Sequence, residues 1–176
     1  MTTRVAFLRA VNLGRRTVPM AGLAKAFEAM GFDGAWTHIN SGNVVFEATG
    51  PRTALERTIE TRLEHEFGFE ITTFVRSKAE LEKALTIEPF KPAAGDTYFI
   101  TFLNSTPTAA AARALEALSN PFDTLRVHGR DVHWRMRGTS TDSRLKSKDW
   151  APLVGPLGGT SRNVNMLRKL AAKLHA

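Results

Sequence analysis

The sequence predicts an α+β protein: two ferredoxin-like halves, each of the βαββαβ type, packed in one compact chain. Three observations predict it. Stretches of period-two alternation interleave with stretches of helical spacing. Each half carries a hairpin signal between two β-rich runs. The order strand, helix, strand, strand begins again after residue 96. With 176 residues, the chain is long enough for one ordinary domain or two small ones.

The elements follow in order. Thr3–Val11 sets Val5, Phe7 and Val11 among smaller residues, as a strand does. Beyond the loop Asn12–Val18 and Pro19, the residues Met20, Leu23, Phe27 and Met30 recur at helical spacing. Gly31 is suited to end that helix in a left-handed conformation. Ala35–Asn40 and Asn43–Ala48 are β-rich runs about Ser41-Gly42, a hairpin. Pro51 opens an amphipathic helix to Phe67, with Leu55, Ile59, Leu63 and Phe67 on one face. Ile71–Arg76 closes the half as a strand, and Ser77-Lys78-Ala79-Glu80 is a capping box for a short helix. Residues 1–85 thus form the N-terminal half. Residues 86–95, with Pro89, Pro92 and no periodicity, read as a linker. In 96–176, Thr97–Leu103 is a strand and Thr106-Pro107 caps an alanine-rich helix to about Leu118. Thr124–His128 and Asp131–Arg137 form a hairpin around Gly129-Arg130. Helical character resumes over Ser143–Trp150 and Thr160–Leu174, so this half reads βαββ followed by helices, the last one terminal.

Composition excludes several functions. Cysteine is absent, which removes disulfides, thiolate catalysis and zinc–cysteine sites. No apolar run approaches the ~20 residues that cross a bilayer. Arg4 and Arg9 bracket the first apolar stretch and no signal-peptide pattern follows, so a cytoplasmic protein without a membrane partner is expected. The five histidines show no metal-site spacing, and no nucleotide or cofactor loop is present, so neither metal nor cofactor is expected. Nucleophile-elbow and paired-carboxylate signatures are missing too, which leaves enzyme status open.

The formal charge of +7 is unevenly placed. Residues 1–76 carry 9 Lys/Arg against 8 Asp/Glu, and 77–176 carry 15 against 9. From Asp123 onward there are 11 basic residues and only 4 acidic ones. A positive field gathered in one part of a fold attracts polyanions. Within it, alternation over Asp131–Arg137 puts Val132, Trp134 and Met136 on one face. His133, Arg135 and Arg137 fall on the other, where Arg126 and His128 can join them. Such a ribbon suits a phosphate backbone, although a solvated sheet face has the same pattern.

Three polar motifs are candidates for a site. In Leu8–Arg16, Arg9 falls on the face of Val5, Phe7 and Val11, where a charge needs a carboxylate such as Glu47, a carbonyl or a ligand. Asn12, Gly14, Arg15 and Arg16 follow as an anion cradle. In Thr37–Asn43, the small polar residues Ser41, Gly42 and Asn43 serve the turn itself or clamp a ligand. In Gly155–Asn165, a glycine-rich loop runs toward a helix start near Thr160 with Arg162 beside it, chemistry suited to phosphate or to a plain cap.

Together, Leu-Arg-Ala-Val-Asn-Leu-Gly (8–14), Thr-His-Ile-Asn-Ser-Gly-Asn-Val-Val-Phe (37–46) and Thr-Ser-Arg-Asn-Val-Asn (160–165) resemble the bacterial "domain of unknown function 1697" family, in order and over nearly the whole chain. The resemblance implies a cytoplasmic two-part α+β fold and no settled activity. By analogy it assembles Arg9, Asn12, Gly14, Ser41, Gly42, Asn43, Arg162, Asn163 and Asn165, with Thr160, into one candidate ligand site. Two functions are therefore expected: single-stranded nucleic-acid binding through Arg126, Arg135 and Arg137 with Trp36 or Trp134 stacking bases, or binding of a small anionic ligand by the three motifs.

Overall fold

A computed structural model of the chain describes residues 1–9, 17–39 and 42–175. It divides into two compact units, Met1–Glu82 and Lys83–Ala176. In the first, β1 (Thr2–Leu8), α1 (Met20–Ala29), β2 (Trp36–Thr37), β3 (Asn43–Ala48), α2 (Arg52–Phe67) and β4 (Thr73–Ser77) follow in order, and α3 (Lys78–Thr86) crosses the boundary. The sheet is antiparallel with strand order β2-β3-β1-β4, the ferredoxin-like arrangement. The second unit repeats it with β5 (Thr97–Leu103), α4 (Ala109–Ala117), β6 (Asp123–His128), β7 (Asp131–Met136), α5 (Ser147–Val154), β8 (Gly159–Asn163) and α6 (Val164–Lys173). Its order is β6-β7-β5-β8, so each unit places its first strand centrally and its fourth strand at an edge.

In the first unit, Ala6, Leu8, Val44, Phe46 and Val75 point from the sheet to Leu23 and Phe27 of α1 and Leu55, Ile59 and Leu63 of α2. Phe27 and Phe46 meet edge to face with ring centres 5.3 Å apart. Burying side chains of this size contributes about 1.5–3 kcal/mol each. Val5, Phe7, Val45 and Phe74 alternate to the opposite face and are buried as well. In the second unit, Leu103, Leu125 and Val132 form the equivalent core with Leu115 of α4, and Trp134 and Trp150 pack on it.

One edge of each sheet is closed by side chains from the neighbouring helix or the turn after it. Thr73 and Val75 of β4 donate their amides to Glu60 Oε1 (3.0 Å) and Glu56 Oε2 (2.9 Å) of α2. In the second unit, Leu125 and Val127 of β6 donate to Ser119 Oγ (3.0 Å) and Glu116 Oε1 (3.1 Å), at the end of α4 and just beyond it. An edge strand bonded this way no longer offers those groups to another chain.

Several expectations shift by a physical reason. β2 is only two residues long because it pairs with β3 through Trp36↔Val45 and Thr37↔Val44 alone. Thr108, not Thr106, caps α4 by accepting from the Ala111 amide at 3.1 Å. The capping box forms as predicted: the Ser77 amide donates to Glu80 Oε2 (2.8 Å), and the Glu80 amide to Ser77 Oγ (3.1 Å). The largest correction concerns 159–163, read as the glycine-rich approach to a helix capped by Thr160. These residues are β8, paired with β5 from Phe99↔Asn163 to Leu103↔Gly159, and the helix starts at Val164 with Asn163 as its cap. The second unit is thereby a complete βαββαβ. Gly159 is needed for close approach: a Cβ there would lie 2.8 Å from Thr101 Cγ2 and 2.9 Å from Leu103 Cδ2.

The Gly159→Ala variant is therefore expected to lose about 1–3 kcal/mol through overpacking. Gly22→Ala, in α1 with no neighbour closer than 3.9 Å to the added carbon, should gain about 0.5–1 kcal/mol. Urea unfolding of both variants checks the pair, and a neutral Gly159→Ala would disprove the close packing of β8.

Candidate functional site

Of the first motif, only the start is described. β1 ends at Leu8, and Arg9 is exposed, with its amide donating to Thr72 O at 2.9 Å. The expected burial of Arg9 on the Val5–Phe7 face is thus not found, because the strand ends before it. Glu47 accepts instead from Thr3 Oγ1 at 2.6 Å. Asn12, Gly14, Arg15 and Arg16 lie outside the described residues, as does Ser41. The second motif adjoins the first: the Leu8 amide donates to Gly42 O at 2.9 Å, and Phe7 pairs with Asn43. Asn43 is fully buried and donates Nδ2 to His38 O at 2.9 Å, while the His38 amide donates back to Asn43 O at 3.0 Å. This side chain closes the turn, and Gly42 adopts a φ of 73° within it. The first two motifs thus share one end of the first sheet.

The third motif belongs to the second unit. Thr160 and Arg162 are buried on one face of β8, and Arg162 donates to Thr160 Oγ1 (2.7 Å) and Ser161 O (3.0 Å). Burial pulls the Arg162 guanidinium down to about 10. Asn163 Oδ1 accepts from the Asn165 amide at 2.8 Å, and Asn165 is itself exposed on α6. Arg162 has a counterpart in the first unit. Arg76 occupies the same place in β4, opposite Val5 where Arg162 stands opposite Ile100, and donates to Val75 O at 3.1 Å. In both units the next residue, Ser77 or Asn163, caps the following helix. The position of Arg162 therefore follows from the repeated architecture. Sequence reading missed Arg76, although its place after Phe74 and Val75 in a short strand is the available signal.

The basic hairpin forms with Arg126↔His133 and Thr124↔Arg135 in register. Its faces are divided as expected, but not all of the polar face is open. Arg126, His128 and Arg137 are exposed, and Arg137 lies 3.5 Å from Asp96. Arg135 is half-buried, bonded to Thr124 Oγ1 and set over the Phe90 ring at 5.8 Å. Trp134 is not available to stack a base: it donates Nε1 to Asp123 Oδ1 (2.8 Å) and packs against Phe99 and Trp150. Trp36 is half-buried at the sheet edge. Among the described residues no Phe, Tyr or Trp side chain is exposed.

The sequence also gave no sign of a buried pair. His133 is wholly buried, and its Nδ1 lies 2.5 Å from Tyr98 Oη, a diagonal neighbour on the same sheet face. The His133 Nε2 has no hydrogen-bond partner among the described residues, and its ring stands edge to face with His128 at 5.5 Å. Burial, then the neighbouring His128, lowers His133 from 6.5 to about 4. Burial pushes Tyr98 up to about 12, against the pull of Arg168. At neutral pH the pair is thus a hydrogen bond between a neutral imidazole and an un-ionised phenol. Among the described residues no group of His, Asp or Glu could hold a metal ion, and no helix is long and apolar enough to cross a membrane.

Duplicated βαββαβ units with a neutral first unit and a cationic second one define a two-repeat ferredoxin-like protein. The family model of a protein of unknown function (DUF1697) matches residues 1–133, and the chain belongs to that family, as its motifs implied. The structure is similar to that of the conserved bacterial protein SP0830 from Streptococcus pneumoniae, with a TM-score of 0.78 at 20% identity. That likeness covers 100% of this chain and 99% of the other, and at such identity it concerns the fold alone. No curated protein matches the sequence.

The pH dependence of stability tests the buried pair. Protons bind the unfolded His133 near 6.5 and the folded one only near 4, so acid favours unfolding in that interval. Stability is complete above the upper value and falls by about 3 kcal/mol as pH approaches the lower one. Glu60, raised by burial, acts in the opposite sense and offsets part of the loss. Thermal melts across this interval should show the decline, and His133→Phe should flatten it. An unchanged slope in that variant would remove His133 from the account.

Proposed function

We propose that the second unit binds nucleic acid through the phosphate backbone. The observation that carries this reading is the division of charge. Met1–Glu82 holds 10 Lys/Arg and 10 Asp/Glu, whereas Lys83–Ala176 holds 14 and 7, so the whole formal +7 belongs to the second unit. Several of its acids accept hydrogen bonds within the chain. Asp123 is fully buried and accepts from Trp134 Nε1 and Ser143 Oγ (2.7 Å), and Glu116 and Asp149 accept main-chain amides of Val127 and Lys146. Arg126, Arg144, Lys148, Lys169 and Lys173 are exposed. Phosphate neutralised by such side chains releases condensed counterions, which makes the affinity depend steeply on salt.

With Trp134 in the core, base stacking supplies little, so the reading favours contact with the backbone over recognition of bases. A small anionic ligand is the alternative reading. It draws support from the first two motifs, which adjoin at one end of the first sheet with Arg9 exposed beside them.

Fluorescence anisotropy with labelled single-stranded and duplex oligonucleotides, over a series of salt concentrations, tests the proposal. The logarithm of affinity should fall linearly with the logarithm of salt, at about 0.7 per phosphate contact on single strands. Arg126→Gln and Arg137→Gln should each weaken binding to all sequences alike and reduce that slope. Affinity that does not respond to salt would refute the proposal. Binding of a small anion that is lost in Arg9→Ala, with no oligonucleotide binding at all, would favour the alternative.

A further inference from the structure

A second cationic surface lies on the first unit, where net charge gives no hint of it. Helix α2 carries Glu56 and Glu60 toward β4, where both bond to strand amides, so these two carboxylates are turned away from solvent. The opposite side of the helix presents Arg57, Thr58, Thr61, Arg62 and His65. With Met30 at the end of α1, these line an open groove of about 570 Å³. That is within the ~300–1,000 Å³ range of ligand sites. Arg62 is weakly engaged: its nearest carboxylate, Glu66, is 3.9 Å away, with both side chains over two-fifths exposed. The Arg62 Nε is buried without a hydrogen-bond partner among the described residues. Two guanidiniums, an imidazole and two hydroxyls beside a methionine thus converge on a groove that has no carboxylate in its lining.

We propose that this groove binds an acidic peptide segment. Charge complementarity between its arginines and the carboxylates of the peptide selects the occupant. Guanidiniums bind carboxylates in bidentate fashion, and the threonine hydroxyls can donate to the remaining oxygens. The thioether of Met30 offers an adaptable apolar contact beside these cations.

The test uses the full chain, labelled with ¹⁵N, and the peptide Ac-Glu-Val-Glu-Val-Glu-NH2. Amide shifts should move at Ala29, Met30 and 57–65, and the Gln-for-Glu peptide should leave them unmoved. Arg57→Gln with Arg62→Gln should weaken binding at least tenfold without altering the melting temperature, since both side chains reach solvent. Arg113→Gln, at an exposed position of α4 in the second unit, should leave peptide binding unchanged. Shifts confined to Lys83–Ala176, unaltered binding in the double variant, or no shifts at all would each overturn the proposal.

Discussion

Carboxylates bonded to main-chain N–H groups are the interaction on which both units depend. A four-stranded sheet has two edges, and each edge leaves a row of amides without a strand partner. Here Glu56 and Glu60 reach the outer edge of β4, and Glu116 reaches that of β6. Glu80 and Asp149 do the same for the first turns of α3 and α5. Each bond satisfies a donor whose burial would otherwise cost about 1–3 kcal/mol, and each also fixes a helix or a turn against its strand. Packing of the apolar faces then has a defined register to build on.

The same constraint shapes the electrostatics. An acid directed into the fold is withdrawn from the surface, while Lys and Arg keep their charged heads in water. In the second unit Asp123 and Glu116 are used in this way, and Asp96 accepts from the Ala93 amide at 2.8 Å with its side chain almost wholly buried. The cations that remain have few surface partners. On α2 the effect is local: two acids turn toward β4, and an arginine-lined groove remains on the other side. Both proposed functions thus arise from where the fold places its negative charge.

Much of the fold was legible in the sequence, and the limits are instructive. β5 was found over its full length because Tyr98, Ile100 and Phe102 alternate with smaller or less buried residues. The Ser77–Glu80 box was found because both of its bonds are local. β8 was missed because its buried positions are Thr160 and Arg162, polar residues that give no apolar alternation. Its strand character comes from pairing with β5, some 60 residues earlier, which local pattern does not carry. The candidate site was legible in part. Of the two readings of Asn43, turn and ligand clamp, the turn role is seen in its bond to His38 O, whereas the Tyr98–His133 pair spans 35 residues and depends on strand register. Trp134 was placed on the apolar face of its strand, and that face proved to be core.

The division of charge between the units is the central claim, and the near-surface electrostatic potential measures it directly. Paired cationic and anionic nitroxides relax amide protons unequally wherever the local potential differs from zero, and at moderate salt the effect stays local. Positive potentials are predicted over the amides of Lys83–Ala176. Over Met1–Glu82 the mean should lie near zero, with a positive region confined to the exposed face of α2. Potentials of the same sign and size across both units would contradict the claim, because the internal carboxylates would then not be what sets the surface charge.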